Sequence, residues 1–175
     1  MIKKILAGVA ILLALILIYA AFKPGEFHVQ RTLSMQASSE KIFPLINDYH
    51  NWSSWSPYER LDPNMKRTLS GPPSGQGAIY EWSGNSKAGA GRMEITQSVP
   101  SSKIAIKLDF SKPFEGHNIA EFTLQPKGNS TDVTWAMSGP MPYAAKVMTT
   151  FINMDKMVGN EFETGLANMK AVAEK

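Results

Sequence analysis

The chain has 175 residues, 43% of them hydrophobic, with 18 basic against 15 acidic side chains and no cysteine. That hydrophobic share supports a packed core and excludes a wholly disordered chain, while the length suits one domain plus a short extra segment. The absence of cysteine excludes a disulfide scaffold, a thiolate nucleophile, Cys-bound zinc and iron–sulfur clusters.

Met1-Ile2-Lys3-Lys4 precedes Ile5 to Phe22, a stretch without any charge. As a helix rising about 1.5 Å per residue it spans roughly 27 Å, close to the hydrocarbon thickness of about 30 Å. A cleaved signal peptide is the competing reading, since it shares the basic start and apolar run. The run outlasts the usual length of about 7–15 residues. Ile18-Tyr19-Ala20-Ala21-Phe22 also offers a poor small-residue exit. Residues 1–22 are therefore expected to be an uncleaved transmembrane anchor. Lys3 and Lys4 should stay cytoplasmic by the positive-inside tendency, which Lys23 on the far side weakens. In a bacterium this gives a single-pass inner-membrane protein whose soluble part faces the periplasm. The anchor carries two lysines and no acid, so the remainder is close to neutral. Lys66-Arg67 is its only adjacent basic pair, and nucleic-acid binding is disfavoured.

Residues 23–26, with Pro24-Gly25, read as a linker, and residues 27–175 as one domain. Phe27 to Met35 alternates in the period-two manner of a strand. Ala37-Ser38-Ser39-Glu40 is a helix start, with Ser38 placed to accept from orphan backbone N–H groups and Glu40 at the positive dipole end. Pro44 predicts that this helix is short or bent. Asp48 to Tyr58 is unusually aromatic. Strands follow at Met65–Leu69, Ala78–Ser83, Gly91–Val99, Lys103–Phe110, Ile119–Gln125 and Asp132–Ser138, separated by Gly-, Pro- and Ser-rich turns. Short strands joined by short turns make an antiparallel meander.

After Gly139-Pro140-Met141-Pro142 the period becomes helical. Val147, Phe151, Met154, Val158, Phe162, Gly165, Met169 and Val172 draw one stripe, predicting a single helix from about Tyr143 to Glu174. Gly159 and Gly165 each cost about 1 kcal/mol relative to Ala in a helix. They mark close approach to another backbone, or a bend.

A strand, short helices, a six-strand meander and a long terminal helix is the order of an α+β helix-grip fold, a curved antiparallel sheet wrapped around the C-terminal helix. Ala37 to Phe43, Asn51-Trp52-Ser53-Ser54-Trp55-Ser56-Pro57, Gly128…Thr131-Asp132-Val133-Thr134-Trp135 and the terminal helix together resemble the SRPBCC superfamily (START-like, Bet v 1-like), in its bacterial polyketide cyclase/dehydrase-like branch. The resemblance covers about residues 27–174. It implies a cavity between sheet and helix, and it spans lipid carriers, hormone receptors, aromatase/cyclases and oxygenase domains, so it specifies fold rather than function.

The candidate ligand-binding residues are Trp52, Trp55 and Tyr58 in the aromatic segment, Tyr80, Trp82, Met93, Phe110, Trp135 and Met137 on strands, and Phe151, Met154 and Phe162 on the terminal helix. Flexible Met side chains suit a deformable apolar pocket. Core packing is the alternative role for each. Alternation turns Glu81 to solvent, yet if Tyr80 and Trp82 formed the outer face, Glu81 would turn inward as a candidate acid/base. His50 is a second weak catalytic candidate. His28, His50 and His117 form no metal-ligand pattern, neither a nucleophile elbow nor a phosphate loop is present, and no cofactor is implied. The leading expectation is a membrane-tethered binding domain for a lipophilic small molecule, either a lipid or an aromatic metabolite. The alternatives are a cyclase/dehydratase-like enzyme with a pocket acid/base, and an envelope module binding a protein through exposed aromatics.

Overall fold

The computed structural model describes residues 1–175. In chain order it contains α1 (Ile2–Ala21), β1 (Glu26–Met35), α2 (Ser39–Asn47), two 3-10 turns (Tyr49–Ser54 and Pro57–Arg60), β2 (Lys66–Ser70), β3 (Ile79–Ser83), β4 (Ala90–Val99), β5 (Lys103–Lys112), β6 (Gly116–Lys127), β7 (Ser130–Pro140), α3 (Tyr143–Met148) and α4 (Met154–Ala173). The seven strands form one curved antiparallel sheet in the order β1-β7-β6-β5-β4-β3-β2. Strands β2 to β7 are the expected meander, and β1 adds to the free edge of β7 in unbroken register from Glu26↔Pro140 to Met35↔Thr131. Register shifts in β4 at Ala90/Gly91 and Ile95/Gln97 supply the local bends that curve the sheet around α4. The helix-grip architecture is present.

Alternation places Ile104 and Ile106 of β5, Phe122 of β6 and Val133 of β7 on the concave face, all fully buried. They meet Ile42 and Ile46 of α2 and Leu166 and Met169 of α4, which fill this half of the sheet solidly.

The Asn-Trp-x-x-Trp segment has a local reason to exist. A helix leaves its last four carbonyls without intrahelical donors. In α2 those carbonyls are taken in turn by Asn51 Nδ2 on Pro44 O (2.9 Å), Trp55 Nε1 on Leu45 O (2.8 Å), Trp52 Nε1 on Ile46 O (3.0 Å) and the Gly75 amide on Asn47 O (2.9 Å). At the other end Ser38 is the N-cap residue, but its hydroxyl accepts no backbone N–H, contrary to expectation. The Glu40 carboxyl, which accepts from Ser39 Oγ at 3.4 Å, is held below its ordinary range first by its own backbone N–H and then by Ser38.

The predicted single C-terminal helix is two helices. Thr149 and Thr150 both fold their hydroxyls back onto Lys146 O, at 3.1 and 3.0 Å, and α3 ends there. Asn153 then caps α4, its Oδ1 accepting from the Lys156 amide at 2.9 Å, with Asp155 in the first turn. The stripe survives only in α4, as Gly159, Phe162, Gly165, Leu166, Met169 and Ala173.

The two helix glycines answer side chains rather than another backbone. A Cβ at Gly159 would lie 2.0 Å from Arg31 Nη2. Arg31, from β1, crosses α4 there to bind Asp155 through both terminal nitrogens at 3.0 Å and Glu163 through Nε at 2.6 Å. A Cβ at Gly165 would lie 2.7 Å from Trp135 Cζ3 and 3.1 Å from Pro57 Cδ. Gly165→Ala is thus expected to lower unfolding free energy by about 1–2 kcal/mol, overpacking outweighing the gain in helix propensity. Urea unfolding checks this, and a stabilised variant would refute the tight contact.

Helix α1 is apolar from Ile5 onward, after Lys3 and Lys4 in its first turn, and Ala20 is its only buried residue. By length and composition it satisfies the requirements of a single membrane span and of a signal sequence. It touches the rest of the molecule through α3, where Tyr143 Oη donates to Leu17 O at 2.8 Å, and through Lys23 Nζ, which donates to Thr149 Oγ1 at 3.2 Å.

Candidate functional site

Between the concave face and the first half of α4 lies a cavity of about 220 Å³, with 15 of its 17 lining residues hydrophobic. Its floor is aromatic. Trp135 is sandwiched between Phe162 of α4 (4.1 Å, 11° between planes) and Phe122 of β6 (4.9 Å, 27°). Strand alternation turns Tyr80, Trp82, Met93, Leu108, Phe110, Ala120 and Met137 into the same space. Leu61, Met65 and Ala88 form another wall. Asp62 ties that wall together, its Oδ2 accepting from the Asn85 amide at 2.7 Å and its Oδ1 from the Asn64 amide at 2.9 Å. A cavity of about 150 Å³ suffices for benzene. This one therefore admits a ring with substituents or a length of alkyl chain.

Of the expected residues, Trp52, Tyr58, Tyr80, Trp82, Met93, Phe110, Trp135, Met137 and Phe162 line the cavity. Three do not. Trp55 is fully buried behind Trp52 (centroids 4.9 Å apart) and spends its indole N–H on α2. Phe151 falls in the break between α3 and α4 and is 71% exposed. Met154 opens α4 outside the cavity. The two catalytic candidates are also elsewhere. Glu81 is exposed on the convex face of β3, opposite Arg92, because Tyr80 and Trp82 take the inner face. His50 is exposed, with Nδ1 2.7 Å from Asp48 Oδ1. Trp52 and Trp55 are both buried, so neither is available as a surface aromatic for a protein partner.

The sequence reading missed the one charged residue of the lining, Glu59. Its side chain is only 8% exposed. Tyr80 Oη donates to Glu59 Oε1 at 2.5 Å and Arg67 Nε to Glu59 Oε2 at 2.7 Å. Arg67 Nη2 also donates to the Glu59 carbonyl at 3.0 Å, and Nη1 to Met65 O at 2.9 Å. Burial, then the bond to Glu59, pushes the Tyr80 phenol above its ordinary value, so it remains a proton donor. Burial pulls Arg67 down, but the hydrogen bond and charge of Glu59 outweigh it and its pKa ends above the ordinary value. Tyr58 is raised by burial and then by the charge of Glu161. No local motif announces this trio, because its members come from a 3-10 turn, β2 and β3. The other polar wall residue, Ser56, has its Oγ buried and without a hydrogen-bond partner, as does Trp135 at Nε1.

A carboxylate offers about four acceptor positions. Glu59 has committed one oxygen to Tyr80 and the other to Arg67, which leaves capacity for a donor on a molecule in the cavity. Chemically, the arrangement can bury an apolar body and meet one polar group at the Glu59 wall. No three His, Asp or Glu side chains converge in a metal-ligating group.

The comparisons with known proteins agree with this geometry. Residues 26–174 match the family model described as polyketide cyclase / dehydrase and lipid transport. No curated protein matches the sequence. Among solved structures, a protein of Nitrosospira multiformis is 17% identical, with 84% of this chain and 96% of that one covered at a TM-score of 0.61. The Aha1 dimer of Colwellia psychrerythraea is 16% identical over 85% of this chain and 96% of its own, TM-score 0.61. A protein of Chromobacterium violaceum is 14% identical over 87% and 99%, TM-score 0.59. At these identities the structures show the shared fold alone. The family match, spanning everything from β1 through α4, shows that the chain belongs to the polyketide cyclase/dehydrase and lipid transport family of the SRPBCC superfamily.

Proposed function

We propose that this protein is a membrane-tethered binding domain that takes a lipophilic small molecule, a lipid or an aromatic metabolite, into its cavity. Residues 1–22 serve as the anchor, 23–26 as the linker and 27–175 as the binding domain. The observation that carries the reading is the void itself, about 220 Å³ lined almost wholly by apolar side chains inside a core otherwise packed solid. A preformed apolar cavity with few polar groups is the usual form of a small-molecule site. Burying apolar ligand surface contributes about 25 cal/mol per Å². Lys3 and Lys4, in the first turn of α1, orient the domain outward, which in a bacterium is the periplasm. Native mass spectrometry of the detergent-extracted full-length protein should then show added hydrophobic mass. Consistently empty preparations, with no thermal stabilisation by a panel of fatty acids, phospholipids and polycyclic aromatics, would count decisively against it.

The Glu59–Tyr80–Arg67 trio favours a second reading, an enzyme of the cyclase/dehydratase type. A general acid/base must lie within about 2.6–3.2 Å of the proton it moves, and Glu59 is the only carboxyl placed on the cavity wall. Under this reading Glu59→Gln abolishes turnover of a bound polyketide-like carbonyl compound while ligand uptake persists. Under the carrier reading no turnover exists to lose.

A further inference from the structure

Strand register gathers one set of elements at a single end of the sheet. Glu26 pairs with Pro140, Ala90 with Lys112 and Phe110 with Gly116. That end therefore carries the exit of α1, the turns at 84–89 and 113–115, the whole of α3, the 149–153 break and the start of α4. The cavity lies toward the same end, since Trp82, Ala88, Phe110, Met137 and Val158 line it, whereas the other end is filled by Ile104, Phe122, Val133 and Met169.

Exposed apolar side chains concentrate there too. Outside residues 1–22, the exposed large hydrophobics are Phe114 (70%), Tyr143, Met148, Phe151 (71%), Ile152 and Met157, with only Leu69, Val99 and Ile119 standing apart. Isolated exposed apolar residues need no explanation, but a cluster marks a contact surface. Charge accompanies it. Lys23, Lys66, Lys87, Lys112, Lys146 and Lys156 lie at this end and none has a carboxylate partner, whereas of the lysines elsewhere in the domain Lys103, Lys107, Lys127 and Lys170 are ion-paired and only Lys41 and Lys175 are not. Of the acids at this end, Asp155 is engaged by Arg31 and Glu115 lies 3.5 Å from His117 Nε2, while Glu26 has no cationic partner, so lysines outnumber the free carboxylates.

The depth of the cluster identifies its occupant. Tyr143 bonds the Leu17 carbonyl, so α3 lies beside the last turns of α1 rather than beyond them. Phe22 lies five positions beyond Leu17, about 7 Å along the axis at roughly 1.5 Å per residue. Interfacial helices bury their apolar face about 5–10 Å into the headgroup/acyl boundary, with lysines reaching the phosphates and Tyr at the headgroup level.

We propose that α3, the Thr149–Asn153 break and the Phe114 turn dip into the bilayer interface at the point where α1 leaves it, holding the mouth of the cavity against the membrane. This rests on α1 being a membrane span. A ligand could then pass between leaflet and cavity without crossing water, and the α3/α4 break becomes the seam that separates a membrane-lying helix from a core helix.

The chain has no cysteine, so single-cysteine labelling is clean. Four full-length variants, Phe151→Cys, Phe114→Cys, Leu13→Cys and Asn129→Cys, would each carry an NBD label in vesicles of phosphatidylcholine and phosphatidylglycerol. Emission from positions 151 and 114 is expected to shift to the blue and to be quenched more by shallow than by deep doxyl-labelled lipids. Position 13 should show the reverse order of depth, and position 129, in the turn at the opposite end, neither effect. If 151 and 114 behave like 129 while 13 is quenched, the interfacial surface is refuted and the span stands. If 13 is also unquenched, the span itself fails. A blue shift at 151 and 114 without lipid quenching means that protein, a partner or a second copy, covers the surface, and it overturns the proposal equally.

Discussion

The Ala120→Phe substitution is expected to remove ligand from the cavity while leaving the fold intact. Ala120 sits on β6 opposite Met137 of β7 and faces the void, and its side chain is the smallest on the floor. A benzyl group there would occupy much of the 220 Å³, given that about 150 Å³ already accommodates benzene. Filling a cavity commonly stabilises a protein by about 0.5–2 kcal/mol. Thermal stability should therefore hold or rise. Ligand retention should fall at least about tenfold, the equivalent of roughly 1.4 kcal/mol. The neighbouring Ile119→Phe is the control, since position 119 points to the convex side and is exposed. Equal co-purification of lipophilic mass with both variants would place the binding site elsewhere.

The second large effect concerns Trp55, a residue whose aromatic setting suggests ligand contact and whose burial makes it structural. Truncating a fully buried Trp costs about 3–5 kcal/mol. Native domains are stable by only about 5–15 kcal/mol, so Trp55→Ala should leave the domain marginal or unfolded. Trp55→Phe keeps most of the ring but frees the Leu45 carbonyl, and should cost about 1–3 kcal/mol. Ligand affinity of the Phe variant should be unchanged, because Trp52 stands between position 55 and the void. Urea unfolding followed by ligand titration separates the two roles. A Trp55→Ala protein as stable as the wild type would refute the capping of α2 described above.

Those two residues show where the reading of the chain succeeded and where it fell short. Periodicity is a local property, and it located six meander strands, but it left the inner face of β3 open between Tyr80 with Trp82 and Glu81. The break in the C-terminal helix was also encoded locally, by Thr149-Thr150 and the Asn153 cap, but the longer apolar stripe through Phe151 masked it. The distinction between Trp52 and Trp55 was not local. Trp52 lies in the Tyr49–Ser54 turn and Trp55 directly follows it, and their roles part only where α2, Phe122 and Trp135 close around them.

Sequence alone therefore determined the apolar N-terminal helix, the order of strands and helices, the helix-grip class and the aromatic character of the interior, because each follows from neighbours within a few positions along the chain. Tertiary structure decided which aromatic rings border empty space, which glycines yield to Arg31 and Trp135, and that Glu59, rather than Glu81 or His50, is the carboxyl on the cavity wall. The reason is that a cavity is the space left over when distant segments pack. The carboxyl on its wall is likewise defined by Tyr80 and Arg67, which reach it from separate strands.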